Sequence, residues 1–398
     1  MEGAMMNTVT RQIQGEEMLE TLYALNSYSL HPSPPYQDKD EWMTVVRERK
    51  GVTSYATFED NKPVSNAAST AMTQNVRGKL YPASGVWGVA TRPSARRNGY
   101  CRQTIKSLLA VERESRKVFT NLYPFRESFY ERLGYVSFPL TKIAKFTPAS
   151  LAPLLKMETG GEIELQLIGE AFDTYREYLA KMRSQQHGMA FFDVGDRLIA
   201  NRNRMWMALA KFEDDIEGLM MYRITGEEVT KYNFVAYRFY YRTSRARYLM
   251  LNWIARHVDQ ADRVEIWLQV DEYPETWLAD MEVKVETAIR PAMSRVLDVE
   301  RLGGMNIGEG SFTAQIIDPL CLWNEGAWQF ESRDGKLEVS KTSKAECQLT
   351  VQGLTALING THDPQDFPLR GWGDPNPVFQ STMREMFPRM IPFMHENF

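Results

Sequence analysis

The 398-residue chain has only three cysteines, Cys101, Cys321 and Cys347, far apart and with no CxxC pair or histidine at metal-ligand spacing. That excludes a disulfide framework and a zinc ribbon, and leads us to expect buried thiols in a reducing compartment. No uncharged apolar run approaches the roughly 20 residues that span a bilayer. The opening MEGAMMNTVTRQIQ lacks the basic and apolar regions of a secretory signal. A cytoplasmic location with no membrane partner is the expectation, with Met5 or Met6 as alternative start residues. Neither sign of charge dominates: 47 basic and 51 acidic side chains give a formal net charge of -4. Nucleic acid finds no overall attraction in that balance, whereas an acidic cleft could draw a cation. GxGxxG, GxxxxGK[ST] and HExxH are all missing, so neither a dinucleotide, a triphosphate loop nor a metal is expected from motif.

What is present is an ordinary globular composition, 43% apolar and 25% charged, in a chain long enough for two or three domains. GEEMLETLYALNSYSL has helical spacing and runs into the proline-rich loop HPSPPYQDKD. GVTSYATFEDNKPVSNAAST predicts two antiparallel strands turning at Asp60 and Asn61. A buried strand SGVWGVAT, a turn, a helix YCRQTIKSLLAVERESRK, a strand VFTNLYP and a short helix ending before Gly134 complete a first α/β layer. A similar order of elements returns after the proline and glycine residues of FTPASLAPLLKMETGG, which suggests a structural duplication. From about Ile289 the pattern changes to short strands followed by helices. The division expected is 1–150, 151–288 and 289–398.

Chemistry concentrates in GVWGVATRPSARRNGYC. A strand enters a turn with Arg96, Arg97 and Gly99, and a helix starts at once. Helix N-termini carry unpaired N–H groups and partial positive charge, so they hold pyrophosphate well. Gly99 permits close backbone approach and the arginines offer charge-assisted donors. The bland alternative is a solvated turn. Arg96-Arg97-Asn98-Gly99-Tyr100-Cys101 resembles the coenzyme A signature of the GNAT N-acetyltransferases, with Cys101 in place of the final glycine or alanine. Together with LYPFRESFYERLGYV it looks like the enhanced-intracellular-survival (Eis) branch of that family.

The resemblance implies an α/β (α+β) architecture of tandem GNAT-like domains, the second degenerate, plus a C-terminal sterol-carrier-protein-2-like domain. It also implies acetyl-CoA as co-substrate and a homo-oligomer, usually a hexamer. By the same resemblance Val89, Ala90 and Thr91 pair with the pantetheine arm. Arg96, Arg97, Asn98, Gly99, Tyr100, Cys101 and Arg102 hold the pyrophosphate, Phe125 and Arg126 line the arm, and Tyr130 is the general acid. Its alternative is a core aromatic, the role expected of Tyr135. The corresponding turn of the second segment, YYRTSRARYLML, has no glycine at its helix start and is expected to bind no coenzyme.

Transfer to an amine also needs a base. His31, His187, His257, His362 and His395 all lie outside the motif. In the Eis branch the base is a terminal carboxylate, which falls here on Phe398. A free α-carboxyl titrates near ~3.5, and burial beside its own ring would raise that value. A simple exposed end is the alternative. Glu396, Asp38 and Trp42 are candidate contacts for a cationic acceptor, with Tyr36, Asp40 and Glu41 beside them. The family implies an aminoglycoside, a polyamine or a lysine side chain. A lipid carrier, or a coenzyme A-binding scaffold with a vestigial site, is the rival function.

Overall fold

The computed structural model describes residues 7–30, 38–195, 200, 204–228 and 230–398. They pack as two compact units. The first takes its residues from 1–138, 183–194 and 292–398, the second from 139–182 and 195–291.

The first unit begins with β1 (Thr8–Gln12), α1 (Gly15–Leu30), α2 (Lys39–Glu48), β2 (Val52–Glu59), β3 (Lys62–Val76) and β4 (Lys79–Thr91). It continues with α3 (Tyr100–Glu114), β5 (Phe119–Leu122), α4 (Glu127–Glu131) and β6 (Val136–Ser137). β2 and β3 turn at Asp60 and Asn61, both at positive φ, as the sequence predicts for a tight hairpin. The sheet runs β1-β2-β3-β4-β5, then the strand Met293–Val296, then β6, and Ala190–Phe192 pairs with β3. Ile105, Leu108 and Leu109 of α3 are fully buried against one face.

A four-stranded sheet of Lys336–Lys341, Gly326–Arg333, Ser311–Ile317 and Cys347–Thr350 belongs to the same unit. Its Phe312 and Phe330 stack with ring centroids 5.0 Å apart and share a core with Met72, Tyr81 and Phe119 of the first sheet. The β3–β4 turn is tied to it through Arg77, which is 2% exposed. Arg77 Nε donates to the carbonyl of Ile358 at 2.6 Å and Nη2 to that of Pro388 at 2.8 Å. Ile358 sits near the end of the helix Val351–Asn359, where a cation meets the negative end of the helix dipole.

In the second unit the sheet order is Lys284–Thr287, Lys142–Phe146, Ala261–Leu268, Tyr232–Tyr241, Asp215–Thr225, Trp206–Phe212 and Glu162–Leu167. Its core gathers Phe234, Phe239, Met250 and Ile254. The two sheets exchange strands along the chain. Lys142–Phe146, which follows the first α/β layer in sequence, pairs in the second sheet, and Met293–Val296 pairs in the first. No thiol is bonded to another. Cys321 is buried as expected, whereas Cys101 and Cys347 are half-buried. Cys101 stands in the first turn of α3 beside an exposed loop, and Cys347 lies on an edge strand. Burial pushes the Cys101 thiol up to about 11 and those of Cys321 and Cys347 to about 12.

Candidate active site

β4 and β5 run parallel and pair only from Ala83–Phe119 to Gly85–Asn121. Beyond Gly85 the strand β4 stays paired to β3 through to Thr91, so its other edge, including Val89, Ala90 and Thr91, no longer has β5 beside it. An extra residue on β4 opposite Asn66–Ala68 makes a bulge, with Gly88 at φ 60. Such bulges redirect backbone groups. Asn66 fixes it: its Nδ2 donates to the Gly88 carbonyl at 2.5 Å and to Asn26 Oδ1 at 3.2 Å. The glycines within GVWGV are the sequence signal for this break, and neither is among the residues expected at the site.

Past the end of β4 a short 3₁₀ turn, Pro93–Ala95, leads to Arg96, Arg97, Asn98 and Gly99, all exposed. Gly99 caps α3 at φ 82, and the direction its Cβ would take is open space for 4 Å. The cap residue supplies no side-chain hydrogen bond, and the first helical bond runs from Gln103 N to the Gly99 carbonyl at 3.0 Å. Arg96 Nε donates to the Thr91 carbonyl at 3.3 Å, the Tyr100 hydroxyl donates to Glu59, and Arg102 Nη2 donates to the Pro319 carbonyl at 3.4 Å. The turn is thus rigid on one side and open on the other.

α4 carries Tyr130 inward, 4% exposed, with its ring edge-on to Phe129 at 5.1 Å and Phe125 at 5.8 Å. Phe125 is 62% exposed and Arg126 exposed beside it. Desolvation holds the Tyr130 phenol well above its usual range, with Cys101 adding to the rise. Tyr135 is fully buried, accepts from Thr120 Oγ1 at 2.9 Å, and titrates at about 12 through desolvation. It is a core residue.

The end of the chain docks on the same unit. Phe398 packs edge-on to Tyr123 and tilted to Phe192, each with ring centroids 5.6 Å away. A Cβ on Gly85 would come within 3.0 Å of the Phe398 ring and 2.8 Å of Met72 Sδ, so only glycine leaves room there. The ring therefore lies where β4 and β5 part. Glu396 Oε2 accepts from Phe192 N at 3.1 Å, and His395 is buried against Phe191. His187 is neutral in its place: Nδ1 accepts from Arg77 N at 3.0 Å, and Nε2 faces the Asn359 carbonyl at 3.1 Å. Desolvation lowers it to about 4.

Of the acceptor candidates, Asp38 caps α2, accepting from Glu41 N at 2.8 Å. Trp42 is half-buried and edge-on to Tyr23 at 5.5 Å. Asp40 and Glu41 occupy the first turn of α2. His31 and Tyr36 lie outside the described residues. An unforeseen aromatic wall is formed by Trp87 and Phe192, over which the Arg49 guanidinium sits at 4.9 and 5.7 Å.

The second unit repeats the parted pair. Tyr232–Tyr241 and Ala261–Leu268 are parallel and pair only as far as Ala236–Ile266. Tyr237 and Trp267 then face each other at 6.5 Å, and the Tyr241 hydroxyl reaches across to Glu272 Oε1 at 2.5 Å. The helix Ser244–Ala255 starts from Thr243, whose Oγ1 accepts from Ala246 N at 3.3 Å. Buried Glu217 lies at that start, accepting from Thr243 Oγ1 at 2.5 Å and Arg245 Nε at 2.9 Å. These bonds pull its carboxyl down to about 2. A lone glutamate inside DIEGLMMYRIT is the signal that could have marked it.

Residues 10–137 match the acetyltransferase (GNAT) domain family, and residues 183–296 match a second family of the same description. Residues 297–372 match the sterol carrier protein domain. No curated protein matches the chain. Among solved structures, a GCN5-related N-acetyltransferase from Anabaena variabilis superposes with TM-score 0.84 at 18% identity, covering 98% of this chain and 100% of that one. A probable N-acyltransferase from Enterococcus faecalis, a conserved protein of unknown function, gives 0.83 at 18% over 99% and 100%. Eis1 from Mycobacterium abscessus gives 0.77 at 16% over 98% and 100%. Likeness at these identities is one of fold. The chain thus carries two acetyltransferase (GNAT) domains, the second with its helix start filled from within, followed by a sterol carrier protein domain, on a fold that it shares with Eis1.

Proposed function

We propose that the protein moves the acetyl group of acetyl-CoA to a primary amine of a cationic acceptor at the parted strands of the first unit. The observation that carries this reading is the Phe398 ring seated over Gly85, where β4 and β5 separate. Arg96, Arg97, Asn98, Gly99, Tyr100, Cys101 and Arg102 hold the pyrophosphate at the α3 start. The free edge at Val89, Ala90 and Thr91 pairs with the pantetheine amides, and Phe125 and Arg126 line the arm.

The acceptor arrives as an ammonium. Its proton passes to the Phe398 carboxylate, the freed lone pair attacks the thioester carbonyl, the carbon–sulfur bond breaks, and the second nitrogen proton goes to the departing thiolate, which leaves a neutral amide and the thiol of coenzyme A. Tyr130 meets that thiolate. Its raised pKa keeps the phenol protonated, and since a thiol is ordinarily more acidic than a phenol, its first service is a hydrogen bond that stabilises the leaving sulfur. Trp42 and Asp38 are the contacts proposed for the acceptor, while Glu396 is engaged with Phe192 N. The Trp87–Phe192 wall supports a cationic one, because it already carries a guanidinium. The second unit, with Glu217 at its helix start, serves as scaffold.

This reading keeps 1–150, 151–288 and 289–398 as the functional segments, with Lys142–Phe146 pairing in the second sheet and Ala190–Phe192 and Met293–Val296 pairing in the first. It extends to a cytoplasmic homo-hexamer, which light scattering checks. Acetyl transfer to an aminoglycoside, a polyamine and a lysine peptide identifies the acceptor class. Appending glycines after Phe398 is expected to cut turnover by about 100-fold or more, the usual worth of a positioned base. Full activity in the extended chain overturns the assignment.

A further inference from the structure

The last residues are held by a segment distant in sequence. Phe393 N donates to the His187 carbonyl at 2.9 Å, and Glu396 N donates to the Ala190 carbonyl at 3.2 Å. The bond returns through a side chain, since Glu396 Oε2 accepts from Phe192 N at 3.1 Å. The holding segment is itself fixed to the sheet that carries the site. Gly188 N donates to the Asn75 carbonyl at 2.8 Å, Gln74 Nε2 donates to the Gly188 carbonyl at 3.1 Å, and Asn121 Nδ2 donates to Gln74 Oε1 at 3.1 Å. Asn121 is the residue paired with Gly85 at the parting of the strands. Gly188, at φ 80, is approached by Pro392 so closely that a Cβ would lie 2.6 Å from it. A continuous set of hydrogen bonds thus runs from the strands of the site, through His187–Phe192, to a point two residues before Phe398.

We propose that Glu396 is a positioning residue for the Phe398 carboxylate, acting through its hydrogen bond to Phe192 N. In the proposed role of Phe398, the direction of its carboxylate is set by the residues that precede it. With Glu396 N and Glu396 Oε2 both engaged on the same short strand, rotation about the last residues is limited from two sides. Phe192 also packs on the Phe398 ring, so one residue receives both the pin and the ring. This proposal rests on the reading of Phe398 as base for its catalytic consequence, and on the hydrogen bonds for the docking itself.

The role needs an acceptor oxygen, and a glutamine amide supplies one without charge. A glutamate that met the acceptor's ammonium would need the charge. The full-length parent, Glu396→Ala and Glu396→Gln are therefore compared by hydrogen exchange of the amides of residues 393–398, and by kcat and acceptor KM with the best amine of the screen. The expected result is about tenfold faster tail exchange and about tenfold lower kcat in Glu396→Ala, the worth of one hydrogen bond to a charged group. Acceptor KM should hold, and Glu396→Gln should recover both readouts to within about threefold. Unchanged tail exchange in Glu396→Ala overturns the proposal, as does a Glu396→Gln protein whose acceptor KM rises as in the alanine variant. Hydrogen exchange needs no turnover, so it stands even if glycines after Phe398 leave transfer intact, an outcome that removes the base and not the pin.

Discussion

The two helix starts that follow the parted strands differ in what meets their exposed N–H groups. At Gly99 the backbone is left-handed, no side chain caps the helix, and the space beyond is open. At Thr243 the backbone is extended, the threonine caps Ala246, and Glu217 supplies an anion from the neighbouring strand. The mouths differ in the same sense. Gly85 and Asn121 end the paired stretch in the first unit, whereas Tyr237, Trp267 and the Tyr241–Glu272 bond close the second. A helix N-terminus needs an anion or a cap in either case. One copy leaves that need open, and the other meets it internally.

Acid should separate the two units first. Between the ordinary histidine value near ~6.5 and the lowered value of about 4, the unfolded chain binds a proton that folded His187 refuses. Stability of the first unit therefore falls as pH drops through that window, on the order of 3 kcal/mol in full. His362, also lowered to about 4, acts in the same direction, and His257 of the second unit, lowered less strongly by burial, adds a smaller effect of the same sign there. Glu217 has the opposite ionisation but a lower window: its contribution is complete above ~4.3 and disappears as pH falls toward about 2. Segment-resolved hydrogen exchange from pH 7 to 3 should show protection lost around His187 before it is lost at residues 243–246. Simultaneous loss would break the contrast.

A smaller effect is expected from removing the internal anion. Glu217→Ala removes the acceptor of the Thr243 hydroxyl and the anion at the helix start, with Arg245 left in solvent, and should cost about 1 kcal/mol, read by urea unfolding, with acetyl-CoA binding retained. Of similar size is the pair Gly99→Ala and Thr243→Ala, each worth about 1 kcal/mol of stability. Only the first should raise the KM for acetyl-CoA, because only there does a methyl group enter the open space where the pyrophosphate is proposed to sit. Equal kinetic effects would erase the distinction between the turns.

The local features of this contrast are legible in the sequence. Arginines and a glycine between a strand and a helix, and the missing glycine in YYRTSRARYLML, are short-range signals tied to backbone geometry. What escapes is non-local. Strands Lys142–Phe146 and Met293–Val296 read as strands of either neighbouring segment, because pairing partners leave no mark on local periodicity. Glu217 meets Arg245 from 28 positions away in the chain, and Phe192 meets Glu396 from 204. Asp38 carries a second role that a loop acid does not announce: its place one residue before a helix makes it a cap as well as a proposed contact. Tyr130 and Tyr135 are both buried aromatics, and composition alone does not tell them apart.

On the proposed function, only the first of the two helix starts takes acetyl-CoA. Calorimetric titration of the full-length protein tests it directly, in the parent and in the Arg96→Glu/Arg97→Glu variant, whose altered side chains are exposed. One equivalent bound per chain is expected, with an affinity at least about 100-fold weaker after the charge reversal, from the loss of two charge-assisted donors. Two equivalents per chain, or one that survives the reversal, would contradict it.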